Sequence, residues 1–68
     1  MSNAPELTPR ELQVVRLLAE GHNLTVLVYK LGISKSTVKK HMHSIGRKWN
    51  VSGRTQIVYT AYCRGIVR

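Results

Sequence analysis

The ten residues Ser34 to His43, SKSTVKKHMH, gather three lysines, two histidines, two serines and a threonine around Val38 and Met42. Side chains of these types can ligate a metal, move a proton or donate hydrogen bonds to an anion, and their spacing decides which. His41 and His43 are two apart, so on a helix their side chains diverge by about 200° and cannot grip one ion together. The chain has a single cysteine, Cys63, and no Asp or Glu after Glu20, which leaves a zinc site short of ligands. Cys63 and a histidine would need a pocket to act as a nucleophilic pair, and a helical domain within 68 residues has little room for one. A metal centre, a cofactor and an enzyme are therefore not expected. Donation to an anion remains.

The charge distribution points the same way. The formal net charge is +8, all three acids (Glu6, Glu11, Glu20) lie in the first 20 residues, and nine Lys or Arg follow from Gly21 to Arg68. Such a chain repels itself and attracts polyanions. Nucleic acid is the first candidate partner and an anionic membrane surface the second. A basic domain whose charge serves only solubility is the third reading, although solubility does not require acids to be excluded from so long a stretch. No apolar run approaches the roughly 20 residues that span a bilayer, and no signal peptide is visible. One cysteine forbids an internal disulfide and suits a reducing compartment. Met1 to Ala4 is read as a cloning remnant, and residues 5–68 as one small domain.

Helices must position the basic stretch. Thr8 and Glu11 form a T-x-x-E capping box with Pro9 at the first helical position, and Leu7 and Leu12 have the spacing of a hydrophobic staple. Leu12, Val15, Leu18 and Ala19 then recur as an apolar stripe, widened by Val14 and Leu17, until Gly21, so a first helix is expected over about 8–20. His22 is expected to be exposed at its end. The next segment, TVLVY from Thr25 to Tyr29, has strand propensity, but Leu24, Leu27, Val28 and Leu31 make a full i, i+3, i+4, i+7 repeat. A lone strand would have no partner, so the reading is a second helix over about 24–31, capped by Asn23 and stopped by Gly32. A turn at residues 32–34 leads to a third helix capped by Ser34 and running to Trp49 or Asn50. A fourth follows over about 54–64, with Ser52 as its cap and Gly65 as its stop. Ile57 and Ala61 face its core side, and Ile66 and Val67 fold back onto the core. The fold class is all-α, a compact four-helix domain.

Within the third helix, Val38, Met42, Ile45 and Trp49 align as one narrow apolar stripe, while Ser36, Lys39, Lys40, His43 and Arg47 fall opposite and Thr37, His41, Ser44 and Lys48 take one flank. A short helix, a glycine turn and a basic amphipathic helix make a helix-turn-helix. A major groove about 12 Å wide admits such a helix, lysine there donates to guanine O6 and N7, and small hydroxyls and the helix N-terminus suit phosphate.

At these residues the chain resembles a known family. Leu7 to Glu11 (LTPRE), Leu17 to Gly21 (LLAEG), Leu31 to Ser34 (LGIS), Thr37 to His41 (TVKKH), Ile45, Lys48, Val51 and Arg54 together look like the LuxR-type (GerE-like) helix-turn-helix. The ordered set runs from about Leu7 to Val67. The resemblance implies a four-helix DNA-binding domain of bacterial transcription regulators, some of them response regulators, with Lys39, Lys40 and His43 facing base edges. It implies phosphate contacts from Asn23, Thr25, Ser34, Lys35, Ser36, Thr37, Arg47 and Lys48. Glu11 and Arg54 look like a structural pair tying helix 1 to helix 4, and Trp49 replaces a usual leucine in the core. The family's helix 4 often supports dimerisation, and by their spacing Tyr59, Tyr62 and Cys63 are candidates either for a dimer face or for a partly buried edge of the core. Expected partners are double-stranded DNA, a second copy and RNA polymerase, with no membrane and no small molecule bound by this domain. The expected location is the cytoplasm, at the nucleoid, and any longer parent would carry a sensing or phosphorylated domain before residue 5. Helix 2 departs from the pattern: a polar S-N-K-E run is replaced by Asn23-Leu24-Thr25-Val26-Leu27-Val28, leaving Val26 and Tyr29 off the core stripe. A protein-interaction module using helices 2 and 4 therefore stays open as a second function.

Overall fold

Residues 7–67 are described by the computed structural model; the expected remnant at 1–4 lies outside them. The chain enters α1 (Pro9–Ala19) through the capping box: Thr8 Oγ1 accepts from Glu11 N at 3.1 Å, and the Thr8 N–H donates to Glu11 Oε1 at 2.8 Å. Two orphan N–H groups are thus satisfied by two side chains three residues apart. At the other end His22 N donates to Leu17 O and Gly21 N to Leu18 O, a Schellman closure of the last carbonyls.

Helix α2 (Leu24–Leu31) confirms the helical reading of TVLVY. Asn23 Oδ1 caps it by accepting from Val26 N at 3.0 Å. Gly32 ends it at φ +67°, with its N–H on Val28 O. That left-handed turn reverses the chain within two residues, and a Cβ there would be strained. Ser34 then caps α3 (Lys35–Trp49), its Oγ accepting from Thr37 N at 3.1 Å. Asn50 closes α3 in the left-handed region, φ +57°.

Helix α4 (Gly53–Cys63) starts one residue earlier than the periodicity suggests. Ser52 stands at its cap position but makes no side-chain capping bond. The Ser52 N–H donates to Gln56 Oε1 at 2.7 Å, so a side chain of the first turn reaches back to the cap backbone. Gly65 and Ile66 close α4, with N–H groups on Tyr62 O and Ala61 O, and Ile66 and Val67 pack back against the core.

The core is Val14, Val15 and Leu18 from α1, Leu27 from α2, Val38, Ile45 and Trp49 from α3, and Ile57 and Ala61 from α4. Helix α3 packs on all three others and α1 does too, whereas α2 and α4 do not touch. The fold is therefore a central α1–α3 pair with α2 and α4 on opposite sides. Burying one edge of α3 on three helices leaves its other edge without any neighbour. The first turn of α1 differs from expectation. Leu12 stands only half-buried outside the core, while Leu7 packs on it. The inward stripe is Glu11, Val14, Val15 and Leu18, and Glu11 is only 3% exposed.

Candidate nucleic-acid interface

The inner stripe of α3 fixes the orientation of everything else on it. Val38, Ile45 and Trp49 are buried, and Met42 is packed half-buried against them. Ser36, Lys39, Lys40, His43 and Arg47 are exposed on the outer side, as is Lys35 at the helix start. Among the described residues none of the four cations Lys39, Lys40, Arg47 or Lys35 has an ion-pair partner, and no acid lies on α3 at all.

Two shallow concavities flank this outer side. One lies toward the α3–α4 link, with Lys39, His43, Arg47, Asn50 and Ser52 along it. The other runs toward α1, along Lys40, His43, Ser44, Arg47 and Lys48. The first is floored at Gly46, which is buried so close to the next loop that a Cβ there would meet the Val51 carbonyl oxygen at 2.7 Å. A glycine inside a helix costs stability, and that cost was the sequence signal for a close backbone approach at this point.

The hydroxyl and amide side chains read as phosphate donors serve first as caps. Asn23 is occupied by Val26 N, and Ser34 Oγ by Thr37 N and by Thr37 Oγ1 at 2.9 Å. Thr25, Lys35 and Ser36 are exposed at the starts of α2 and α3, and Thr37 is half-buried. The turn thus sets the N-terminus of α3, with its partial positive charge, at the start of the cationic side of that helix.

The structure corrects one pairing on the α1 side. Glu11 and Arg54 are both structural, yet they do not pair with each other. The Arg54 guanidinium donates to Leu18 O at 3.0 Å, holding the start of α4 to the end of α1. Glu11 instead receives Ser44 Oγ at 2.7 Å on Oε2 and Lys48 Nζ at 2.8 Å on Oε1. Burial alone would push the Glu11 carboxyl up. The bonded Lys48 ammonium, the Thr8 N–H and the Ser44 hydroxyl outweigh it and hold that carboxyl at about 2, against an ordinary 4.5. Lys48 is accordingly half-buried and its ammonium is directed into the scaffold, unlike the other α3 cations. The signal was present in the sequence: Glu11 shares the i, i+3, i+4, i+7 spacing of Val14, Val15 and Leu18, so its Cβ had to face inward.

Elsewhere the residues singled out fall apart from α3. Tyr59, Tyr62 and Cys63 are exposed on α4 together with Thr55 and Gln56, a face without charge. Hydrogen bonding to Cys63, with the charge a thiolate there would carry, pushes the Tyr59 phenol up from its usual value, which marks the two as neighbours. Trp49 is buried with the Arg64 guanidinium 5.2 Å from its ring centroid, a cation–π lid on the core. His22 is half-buried rather than exposed, with Nε2 3.0 Å from Glu20 Oε1. Among the described residues no cluster of three or more His, Cys, Asp or Glu is arranged to hold a metal, and no helix is long and apolar enough to cross a membrane.

Comparison with known proteins identifies this architecture. The family of bacterial regulatory proteins, luxR family, matches residues 5–61. The chain is 43% identical over 65 residues to an uncharacterized transcriptional regulatory protein, YxjL, of Bacillus subtilis (strain 168), covering 96% of this chain and 30% of that protein. It is 39% identical over 62 residues to the transcriptional regulatory protein DegU of Brevibacillus brevis, covering 91% and 26%. It is 39% identical over 61 residues to the transcriptional regulatory protein LiaR of Bacillus subtilis (strain 168), covering 90% and 29%. The chain thus spans less than a third of the length of these relatives. With the capped turn, the four-helix core and this match over most of its length, the chain belongs to the luxR family of bacterial regulatory proteins, as its helix-turn-helix domain.

Proposed function

We propose that this domain binds double-stranded DNA in a sequence-specific way, with α3 entering the major groove and α2 bracing it from above. The observation that carries the reading is the outer side of α3: Lys39, Lys40, His43 and Arg47 are exposed together on a rigidly buried helix that bears no acid. Lys39, Lys40 and His43 are assigned to base edges. Thr25, Lys35 and Ser36, with the helix starts capped by Asn23 and Ser34, are assigned to phosphates. Lys48 is set apart from them as scaffold, since Glu11 already binds its ammonium. In this reading the domain belongs to a longer transcription regulator, with its input elsewhere in that protein and RNA polymerase as a downstream partner. It works in the cytoplasm at the nucleoid. One helix buries modest surface on DNA, so two copies on two half-sites are expected, joined through the uncharged α4 face of Tyr59, Tyr62 and Cys63.

Selection of bound duplexes from a random pool tests this, followed by titration of the selected duplex and a scrambled one at several salt concentrations. A recovered consensus bound at least about 1000-fold more tightly than scrambled duplex supports the proposal. Equal binding of both would leave only electrostatic attraction. The competing reading, a protein-interaction module, draws on Tyr29, which is 87% exposed on α2. No shift of any duplex at micromolar protein would favour it.

A further inference from the structure

The two concavities on α3 have two residues in common, His43 and Arg47. These stand four apart, one above the other on the helix, and form the ridge between the hollows. Arg47 lies nine residues from Val38, about 180° around the helix at roughly 100° per residue, directly opposite the buried stripe. Lys40 sits only about 20° from that line, at about 200° from Val38, and shares the crest with Arg47, whereas Lys39 lies about 80° away on the other side. Arg47 is exposed and has no hydrogen-bond or ion-pair partner among the described residues. Its five N–H donors are therefore uncommitted.

From this geometry we infer that Arg47 is a base-reading, specificity-determining residue that recognises guanine, rather than one more phosphate contact. This rests on the proposed docking of α3 in the major groove. A helix laid in a groove inserts the part farthest from its own core, where Arg47 stands with Lys40 and His43, and a phosphate contact belongs on the shoulders. A planar guanidinium on the crest matches guanine O6 and N7 with two parallel bonds. A lysine there carries the same charge but not the fork.

The test compares wild type, Arg47→Lys and Arg47→Ala on the selected duplex and on variants of it changed at one base pair at a time. Guanine recognition predicts that both substitutions weaken the selected duplex by about 10- to 100-fold and flatten the preference at one G·C pair, with the other positions unchanged. Scrambled duplex should lose affinity only for Arg47→Ala. If Arg47→Lys keeps the full base profile, or if Arg47→Ala weakens every duplex equally, Arg47 is a phosphate contact and the inference falls while DNA reading by α3 stands. If wild type itself prefers no duplex, the docking reading and the inference fall together.

Discussion

Helix α3 carries cations on two sides, and they lead different lives. Lys48 is 24% exposed, bonded to a carboxylate that α1 inserts into the core. Lys39, Lys40 and Arg47 lie exposed with no acid near them. The residue type and the helix are the same; the difference is what stands across from each. Glu11 reaches the flank that faces α1, and nothing reaches the side that faces away. Charge count alone therefore misleads. This basic helix commits one of its cations inside the protein, and only the remainder is offered to a partner.

This contrast can be broken from the buried side first. Because the folded Glu11 carboxyl sits at about 2 and its ordinary value is 4.5, the unfolded chain binds more protons between those values. The contribution is complete above about pH 5 and is lost as pH falls toward 2, and it amounts to about 3 kcal/mol. Glu11→Gln should lower unfolding free energy by about that much at pH 7 and flatten the acid limb of a urea-unfolding series. An unchanged acid limb would mean that the carboxyl is not held as described. Lys48→Ala should cost less, about 2 kcal/mol, since the Thr8 N–H and Ser44 hydroxyl still serve Glu11. Lys40→Ala inverts the pattern. Stability should stay within about 0.5 kcal/mol of wild type, while binding to the selected duplex drops by about 1–3 kcal/mol. Equal thermal shifts for Lys48→Ala and Lys40→Ala would erase the distinction.

The smallest effects compare two serines at helix starts. Ser34→Ala should cost about 1 kcal/mol because it removes a capping bond, seen as a lower thermal midpoint. Ser52→Ala should stay within about 0.5 kcal/mol, since the Ser52 hydroxyl makes no such bond. If the two alanines cost the same, the capping geometry of α3 or of α4 is misdrawn.

Local rules made most of the fold legible. The capping box at Thr8–Glu11, the helical repeat from Leu24 to Leu31 and the stop at Gly32 each depend on residues a turn or two apart, and all appear in the structure. The strand-like composition of TVLVY yields because Leu27 must be buried against α3, and only a helix also buries Leu24, Val28 and Leu31 on that side. What sequence spacing misses is the partner chosen across the core. Glu11 joins Ser44 and Lys48, 33 and 37 residues away, and Arg54 turns to a backbone carbonyl. Which cation fills the Glu11 site depends on how α1 and α3 dock, a quantity no local pattern encodes. At Ser52 the cap position is right but its hydroxyl makes no capping bond; the contact that forms there is Gln56 accepting from the Ser52 N–H. The outer side of α3 was legible because amphipathicity is itself local. Its contact with DNA is a claim about a second molecule.

That claim is tested most directly by amide chemical shifts of the isotope-labelled domain as the selected duplex is added. The largest changes should fall on Lys39, Lys40, His43 and Arg47 and on the first turns of α2 and α3, with smaller changes at Tyr59 to Cys63, where two copies meet. Changes centred on Tyr29 and α4, with the outer side of α3 silent, would contradict it.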